Sequence, residues 1–304
     1  MTYPSTPAQG TAQLTTPQTC CICGTSTQQK PCVDIARVRC NVRQFADQFF
    51  TMWRCANCKS LHCLESIDFA HYYANYPIRL QKYDFFARHI FERRLQFMLD
   101  AGLGQGDTLL DYGCGSGYFV RFARSKGIRA EGYDPYSSEE FSDPAVLERR
   151  YDFVTSQDVV EHDENPAAFL DNLKKYVRPG GALTIGTPNA DRVDLKDPLA
   201  PMDAIHVPYH RHLYSQHELE RAMGTDGWQI VASRRDSYFD SRFPFVNSAF
   251  LVRLFQSHDG TMDSGFDPVG PLHFLLHPSL IFWGLFGSWF SRDNDMVVVA
   301  RAPG

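Results

Sequence analysis

Short apolar runs alternate with segments of helical periodicity from residue 105 to the end of the chain. This alternation predicts an α/β fold with a parallel, doubly wound, Rossmann-like sheet. Before it, apolar positions at helical spacing over 67–104 predict a helical linker or cover. The predicted strands are 108–112, 128–133, 151–156, 182–186, 228–234 and 296–301, and the predicted helices are 118–126, 166–177 and 216–223.

Composition indicates a globular, cytoplasmic protein. The chain has 304 residues, of which 43% are hydrophobic and 21% charged, enough for one large domain and a small one. A net charge of −5 disfavours a duplex nucleic-acid binder. Residues 1–19, rich in Thr, Pro and Gln, lack the features of a signal peptide and are predicted to be a disordered tail.

An aromatic-rich insert occupies 238–293, just before the last predicted strand. It could form a lid over a pocket beside the sheet, or contribute only ordinary packing. Within it, Leu272–Phe290 contains no Lys, Arg, Asp or Glu. Pro278 and Gly284 should divide this stretch into two short helices. We expect these helices to be buried in a globular lid. The alternative is a hairpin that contacts a membrane surface.

A glycine-rich loop follows the first strand of the α/β region and leads into a helix. Glycines there let the backbone approach a ligand closely, and the helix N-terminus offers free N–H groups. Asp134, at the tip of the next strand, can accept hydrogen bonds from both hydroxyls of a ribose. Cys114 is expected to be a small residue that fits the tight turn. The candidate cofactor-binding residues are Asp111, Gly113, Cys114, Gly115, Gly117, Asp134, Pro135, Gln157 and Asp158.

The G-x-G-x-G spacing, with Asp111 ahead of it, resembles motif I of class I S-adenosylmethionine (SAM)-dependent methyltransferases. Three further segments resemble that family in order and spacing: 151–162, 173–181 and 187–189. The resemblance implies SAM as cofactor and extends to ubiquinone-biosynthesis O-methyltransferases and sugar methyltransferases. The gap between Asp134 and Tyr151 is too short for the family's usual third strand. That strand is therefore vestigial, or adenine is held differently, with Tyr136 as a candidate contact.

Eight of the nine cysteines lie in 20–66, which we interpret as a zinc-ribbon-like module. Two C-x-x-C units can each direct two thiolates at one ion and complete a closed, structural Zn²⁺ site. The predicted ligands are Cys20, Cys23, Cys55 and Cys58. Cys63 or His62 could substitute. A zinc module, then Tyr72, Tyr73 and Tyr76, then a SAM domain (105–304) resembles the arrangement of deoxysugar C-methyltransferases.

Methyl transfer to a hydroxyl or an acidic carbon benefits from a general base, and histidine suits that task. The loop after the predicted strand 182–186 contains His206, His210 and His212, and His162 should lie at the floor of the same cleft. His210 matches the histidine that the resemblance implies for sugar C-methyltransferases. The catalytic candidates are His210, His206 and His162. The histidine spacing also allows a metal site, which we disfavour because no carboxylate-rich set stands beside it in the sequence.

The sequence therefore predicts a SAM-dependent methyltransferase that acts on a hydroxyl or carbon of a small molecule, such as a sugar, a glycan intermediate or a secondary metabolite. One alternative is an RNA methyltransferase, because basic residues outnumber acidic ones in the cysteine module; nucleic acid is the less favoured partner. A second is a quinone or lipid methyltransferase at a membrane surface, suggested by Leu272–Phe290. A third is a non-enzymatic SAM sensor, against which the intact Asp111 and Asp134 argue.

Overall fold

The computed structural model describes residues 14, 16–74, 82–137, 140–197, 204–235, 240–241, 243–290 and 293–304. Tyr76, most of the predicted N-terminal tail and parts of 238–293 lie outside these ranges. The strands are β1 Asp34–Arg39, β2 Phe49–Arg54, β3 Leu61–Cys63, β4 Thr108–Tyr112, β5 Arg129–Tyr133, β6 Tyr151–Gln157, β7 Val177–Pro188, β8 His212–Leu213, β9 Gln229–Arg235 and β10 Asp295–Arg301. The α-helices are α1 Phe69–Tyr73, α2 Phe85–Asp100, α3 Tyr118–Ser125, α4 Pro166–Lys174, α5 Gln216–Met223, α6 Ser248–Ser257, α7 Pro271–Leu276 and α8 Ser279–Phe286.

A six-stranded sheet in the order β5-β4-β6-β7-β10-β9 forms the centre of the α/β region. β5, β4, β6 and β7 are parallel, as predicted. β10 is antiparallel to both β7 and β9, so the prediction of a wholly parallel sheet was wrong at this strand. The hydrophobic pattern of a strand does not encode its direction, and β10 enters between its neighbours from the opposite end.

β5 is an edge strand, and among the described residues between Asp134 and Tyr151 the regular structure is one 3-10 turn, Pro144–Glu148. The described part of this short segment thus adds no strand beyond β5. The chain instead folds back over the glycine loop. The Asp134 amide donates to the carbonyl of Phe141 at 2.8 Å, and the Phe141 side chain is buried.

Local signals set the ends of the helices that flank the sheet. The Ser215 hydroxyl accepts from the Glu218 amide and begins α5, and Asn165 caps α4 ahead of Pro166 at its first turn. Gly117 begins α3 with a left-handed φ of 70°. The sheet residues facing these helices are fully buried: Leu109, Leu110, Val154, Leu183, Ile185 and Val298.

The cysteine-rich region forms a second, antiparallel sheet in the order β1-β2-β3-β8. Its fourth strand, β8, comes from the loop of the α/β region that contains His206, His210 and His212, called the histidine loop below. β8 pairs Leu213 with Leu61. Ser215, the cap of α5, also donates its hydroxyl to the carbonyl of Cys58 at 2.6 Å. The region that we predicted as a separate module therefore shares a sheet with the α/β region.

The late insert contains α6, α7 and α8, and α7 and α8 are the two short helices predicted from Pro278. Their predicted burial was wrong: Leu275 and Leu276 of α7 are 76% and 68% exposed, and Leu285 of α8 is 47% exposed. Leu280 of α8 is buried against Phe250 and Leu254 of α6, and Trp283 and Phe274 pack partly buried against the same cluster, whereas most other large apolar residues of the segment are exposed. Across the described residues, none of the helices has the length and apolarity needed to cross a membrane.

Candidate functional site

The glycine loop between β4 and α3 contains one glycine that is packed against protein and one that is exposed. Gly113 has a φ of 79°, and a Cβ there would lie 2.3 Å from a methyl of Val159. Gly115 has a φ of 52° and is exposed, and a Cβ there would meet nothing within 4 Å. Gly113 thus packs against protein, whereas Gly115 faces open space. This geometry suits close approach of a ligand to the backbone at Gly115.

Asp134 lies directly beside this loop, at the end of β5. One carboxylate oxygen accepts from the Gly115 amide at 3.0 Å, and the other accepts from the Tyr136 amide at 2.8 Å. Each oxygen keeps a further lone pair, which is the capacity that a ribose diol requires. Pro135 follows in an exposed turn, and Tyr136 is 91% exposed. The residues present therefore fit the ribose of a nucleoside cofactor.

Asp111, the predicted cofactor residue at the end of β4, is buried and paired with Arg94 of α2. The Arg94 guanidinium lies 2.5 Å from the Asp111 carboxylate, 3.1 Å from the Thr155 hydroxyl and over the ring of Phe119. Burial raises the pKa of Asp111, and Arg94 opposes that rise. The sequence analysis did not identify Arg94 as part of the site. The one sequence signal for it is a basic residue at a position where α2 faces the sheet.

The loop that leaves β6 connects the glycine loop to a pocket of histidines. Gln157 donates to the carboxylate of Asp158 at 3.0 Å, and Asp158 has a left-handed φ of 55°. Val159 then packs under Gly113, and two residues further on Glu161 is fully buried. All of these residues lie at the carboxyl ends of parallel strands, the edge where doubly wound folds bind ligands.

Glu161 forms the floor of the histidine pocket. One of its oxygens accepts from the Thr187 hydroxyl at 2.9 Å. The other is buried, lies 3.9 Å from Nε2 of His210, and has no hydrogen-bond donor among the described residues. Burial and the nearby Asp158 raise the pKa of Glu161. A buried carboxylate oxygen without a donor is unusual and indicates a missing partner.

Backbone carbonyls contact Nδ1 of both His162 and His210. His162 Nδ1 lies 3.0 Å from the carbonyl of Tyr209, and His210 Nδ1 lies 2.9 Å from that of Ala204. Because a carbonyl can only accept, Nδ1 of His210 carries the proton and its Nε2 keeps the lone pair. Nδ1 of His162 also lies 2.7 Å from the Tyr73 hydroxyl, which can donate to it or accept from it. Burial lowers the pKa of His162 to about 4 and that of His210 well below its usual range. Both rings are therefore neutral at pH 7.

His206 lies in the same pocket, in the tautomer opposite to that of His210. Its Nδ1 is 2.5 Å from the amide nitrogen of Asn41, which can only donate, so Nδ1 accepts. Its ring packs edge-on against His210. The main-chain carbonyl of Asn41 accepts from the main-chain amide of Met262 in the insert at 2.7 Å. The insert thus contacts Asn41, the partner of His206, and the hydroxyl of Tyr73 in α1 lies 2.7 Å from Nδ1 of His162.

The four predicted zinc ligands converge in the cysteine-rich region. The sulfur of Cys20 lies 3.6 Å from that of Cys58, and the sulfur of Cys23 lies 3.7 Å from that of Cys55. All four sulfurs are within 4.8 Å of one another. The hydrogen bond from Cys20 lowers the pKa of Cys58 to about 5. This donor set fits a tetrahedral Zn²⁺ ion.

His212 is separated from the other histidines of its loop. It lies opposite His62 in the β3–β8 pair, with 2.9 Å between the two Nδ1 atoms. The other ring nitrogen of His62 is 3.2 Å from the sulfur of Cys20. Within this loop, His206 and His210 therefore lie in one pocket, whereas His212 lies at the edge of the cysteine cluster.

Comparison with known proteins agrees with this geometry. A family described as a methyltransferase domain matches residues 83–233. The ubiquinone biosynthesis O-methyltransferase of Paraburkholderia phytofirmans is 30% identical over 105 residues, covering 28% of this chain and 45% of that protein. The tRNA U34 carboxymethyltransferase of Pseudoalteromonas translucida is 33% identical over 104 residues, covering 27% and 32%. The chain thus spans less than half the length of both curated relatives.

Among solved structures, the 1,6-didemethyltoxoflavin-N1-methyltransferase of Burkholderia thailandensis is 14% identical, covers 83% of this chain and 99% of its own, and has a TM-score of 0.44. The family match spans the glycine loop, Asp134 and the histidine pocket. On that match and the curated relatives, residues 83–233 carry a methyltransferase domain of the class I SAM-dependent type.

Proposed function

We propose that this protein transfers a methyl group from SAM to a hydroxyl or carbon of a small molecule, bound in the pocket of Glu161, His162 and His210. The observation that carries the proposal is the loop Gln157–His162, which packs under the glycine loop at Val159 and reaches the histidine pocket two residues later. A cofactor beside Gly115 and an acceptor beside His210 would be neighbours at one edge of the sheet.

SAM supplies, when bound, an electrophilic methyl group on a sulfonium. The protein must therefore align the acceptor with that methyl, exclude water and accept a proton. The neutral ring of His210 keeps an Nε2 lone pair, so His210 can take the acceptor's proton as the acceptor's new bond to carbon forms, and His162 is the second candidate. His206 is less suited, because its Nδ1 already accepts from Asn41.

We further propose that Cys20, Cys23, Cys55 and Cys58 hold a structural zinc ion. Four thiolates leave no open coordination position, so the ion supports the fold and takes no part in catalysis. Cys20, Cys55 and Cys58 share a buried core with Tyr214 and Leu219 at the start of α5. The zinc would therefore stabilise the histidine loop that immediately precedes this helix.

A membrane-bound acceptor, such as a quinone or lipid, is the second candidate, and the exposed insert favours it. Large apolar side chains of Leu272–Phe290 that are at least 44% exposed include Leu272, Leu275, Leu276, Ile281, Phe282, Leu285, Trp289 and Phe290. Such an uncharged, aromatic-rich surface suits the boundary between lipid headgroups and acyl chains. Several curated relatives are named for ubiquinone biosynthesis.

An RNA acceptor is less well supported by the cysteine-rich region. Two of the basic residues that suggested it are engaged within the protein. Arg43 pairs with Asp259 and Asp267 of the insert, and Arg54 donates to the carbonyls of Ala190 and Val193. These contacts reduce the charge available to phosphates.

Transfer of labelled methyl from SAM into a cell extract, followed by fractionation, tests these alternatives. The proposed function predicts label in the water-soluble small-molecule fraction. Label in the lipid extract would support the second candidate, and label in RNA would overturn both. Absence of SAM binding by calorimetry would contradict every methyltransferase function considered.

A further inference from the structure

We propose that Cys21, His62 and His212 bind a second divalent transition-metal cation, beside the proposed four-cysteine zinc site. One ligand atom from each of these three side chains lies within 4.8 Å of the other two. Thiolate and imidazole are the groups that Zn²⁺ takes most readily as ligands in proteins. The proposed function uses none of the three side chains, so this inference goes beyond it.

The distances among the three ligand atoms already approach those of a tetrahedral zinc site. The Nδ1 atoms of His62 and His212 are 2.9 Å apart, and the sulfur of Cys21 lies 3.8 Å from Nδ1 of His62. Around a tetrahedral zinc, two nitrogens lie about 3.3 Å apart, and a nitrogen and a sulfur lie about 3.6 Å apart. Shifts of roughly 0.2–0.4 Å in the two distances would therefore complete the geometry.

The contact between His62 and Cys20 prepares His62 as a ligand of this second site. Nε2 of His62 lies 3.2 Å from the sulfur of Cys20. A thiolate bound to zinc accepts a hydrogen bond here, so Nε2 carries the proton and Nδ1 keeps its lone pair. Metal-binding histidines usually donate their other ring N–H in this way. This step alone rests on the proposed four-cysteine zinc site.

The position of Cys21 distinguishes a cation from a simple hydrogen bond. Two nitrogens 2.9 Å apart require a hydrogen or a cation between them. A hydrogen bond from His212 to the lone pair of His62 would explain this pair but not the nearby sulfur of Cys21. A cation accounts for all three groups, because it accepts a lone pair from each. Cys21 also follows Cys20 directly, so the C-C-x-C motif offers one thiolate to each of two sites.

The cation would join three segments that are far apart in the chain. Cys21 belongs to the first C-x-x-C unit, His62 to β3 and His212 to the two-residue strand β8. The ion would thus fasten the histidine loop to the cysteine-rich region. Three protein ligands leave a fourth coordination position, and a water molecule can fill it because Cys21 and His212 are partly exposed.

The zinc content of paired variants tests the second site. The full chain would be stripped with a chelator, reloaded with Zn²⁺, desalted and analysed for metal by mass spectrometry. We expect Cys21→Ser and His212→Gln each to hold about one zinc ion fewer per chain than the unaltered protein. Cys32→Ser and His217→Gln, which change a thiol and an exposed imidazole outside the ligand clusters of the described residues, should lose none. The cluster in the acceptor pocket is unchanged in all of these proteins, so any zinc bound there cancels in the comparison.

Cysteine labelling provides a measurement that needs no variant. The unaltered protein would be loaded with one equivalent of Zn²⁺ or with an excess, treated with iodoacetamide and mapped by peptide mass spectrometry. The first ion should enter the four-cysteine site, which offers more thiolates. We therefore expect Cys21 to be labelled at one equivalent and several-fold less at excess zinc, because a metal-bound thiolate is protected. Cys32 should be labelled equally in both.

Three results separate this inference from the proposals on which it borders. Equal labelling of Cys21 at both zinc levels, or full zinc content in Cys21→Ser and His212→Gln, would overturn the second site and identify the 2.9 Å contact as a hydrogen bond. Full zinc content in Cys55→Ser would instead contradict the four-cysteine site. Failure of the unaltered protein to bind SAM would contradict the proposed function and leave the second site standing.

Discussion

The Asp134 carboxylate accepts a hydrogen bond from the Gly115 amide at 3.0 Å, which joins the tip of β5 to the glycine loop. Replacing Asp134 with Ala removes a charged acceptor from the predicted ribose site. We expect the free energy of SAM binding to weaken by about 1.5–3 kcal/mol, which is roughly a 10- to 150-fold rise in Kd. Calorimetric titration with SAM measures this change. An unchanged Kd would refute the ribose assignment, and Glu140→Ala, on the same segment but paired with Arg121, provides the control.

Gly113 is restricted by both its backbone and its surroundings. Gly113→Ala places a methyl 2.3 Å from Val159 at a φ of 79°, so we expect a loss of about 2–4 kcal/mol in the free energy of unfolding. Gly127→Ala is the matched control, because its φ is 86° but a Cβ there meets nothing within 4 Å. Its cost should be about 1 kcal/mol. Equal costs in urea denaturation would show that Val159 does not press on the loop.

Cys55→Ser tests the structural zinc. The change should release one zinc ion and lower the melting temperature by roughly 5–10 °C, because the cysteine cluster shares its core with α5. Cys32→Ser, in the same region but outside the cluster, should keep its zinc and its melting temperature. Full metal content in Cys55→Ser would place the zinc on other ligands.

Acid should destabilise the fold through the buried histidines. Burial lowers the pKa of His206 to about 3, whereas the unfolded residue titrates near 6.5. Between these values the unfolded state binds a proton that the folded state refuses, so stability falls as the pH drops from about 6.5 towards 3. The slope is at most about 1.4 kcal/mol per pH unit for one such group. His206→Gln should flatten the measured pH dependence of unfolding; an unchanged slope would exclude His206 as a contributor.

The exposed insert should bind neutral lipid if the second candidate function is correct. Trp289→Asp and Leu275→Asp each replace an exposed apolar side chain with a charged one; Trp289 is 80% exposed and Leu275 is 76% exposed. Both should reduce cosedimentation with phosphatidylcholine vesicles several-fold, because burying a charge in lipid is costly. Val33→Asp changes an exposed apolar residue of the cysteine-rich region and should have no effect. If the unaltered protein stays in the supernatant, the surface does not bind such membranes.

Local signals made much of the fold predictable from sequence. β4 and α5 have the predicted bounds because an apolar run and the Ser215 cap act over a few residues. The direction of β10 was not predictable, since strand pairing with β7 and β9 depends on residues distant in the chain. The exposure of α7 and α8 was predicted wrongly, because hydrophobicity alone does not reveal whether another part of the chain covers a helix.

The candidate site shows the same division. The four cysteines and the glycine loop come together as their spacing predicts, because each is built from short motifs. Spacing could not reveal that the histidine loop contributes to two different sites. β8 places His212 opposite His62, away from His206 and His210. The carboxylate beside His210 is that of Glu161, which the fold brings from the end of β6.

The two-residue strand β8 has a consequence for how the chain acquires its structure. The pair that it makes joins His62 to a residue 150 positions later. During synthesis from the N-terminus, the edge of β3 stays uncovered until His212 and Leu213 have left the ribosome. Closing so long a loop is slow compared with local pairing, so the cysteine-rich region would finish folding late, although it is made first. A chaperone or an early zinc ion would have its effect during this interval.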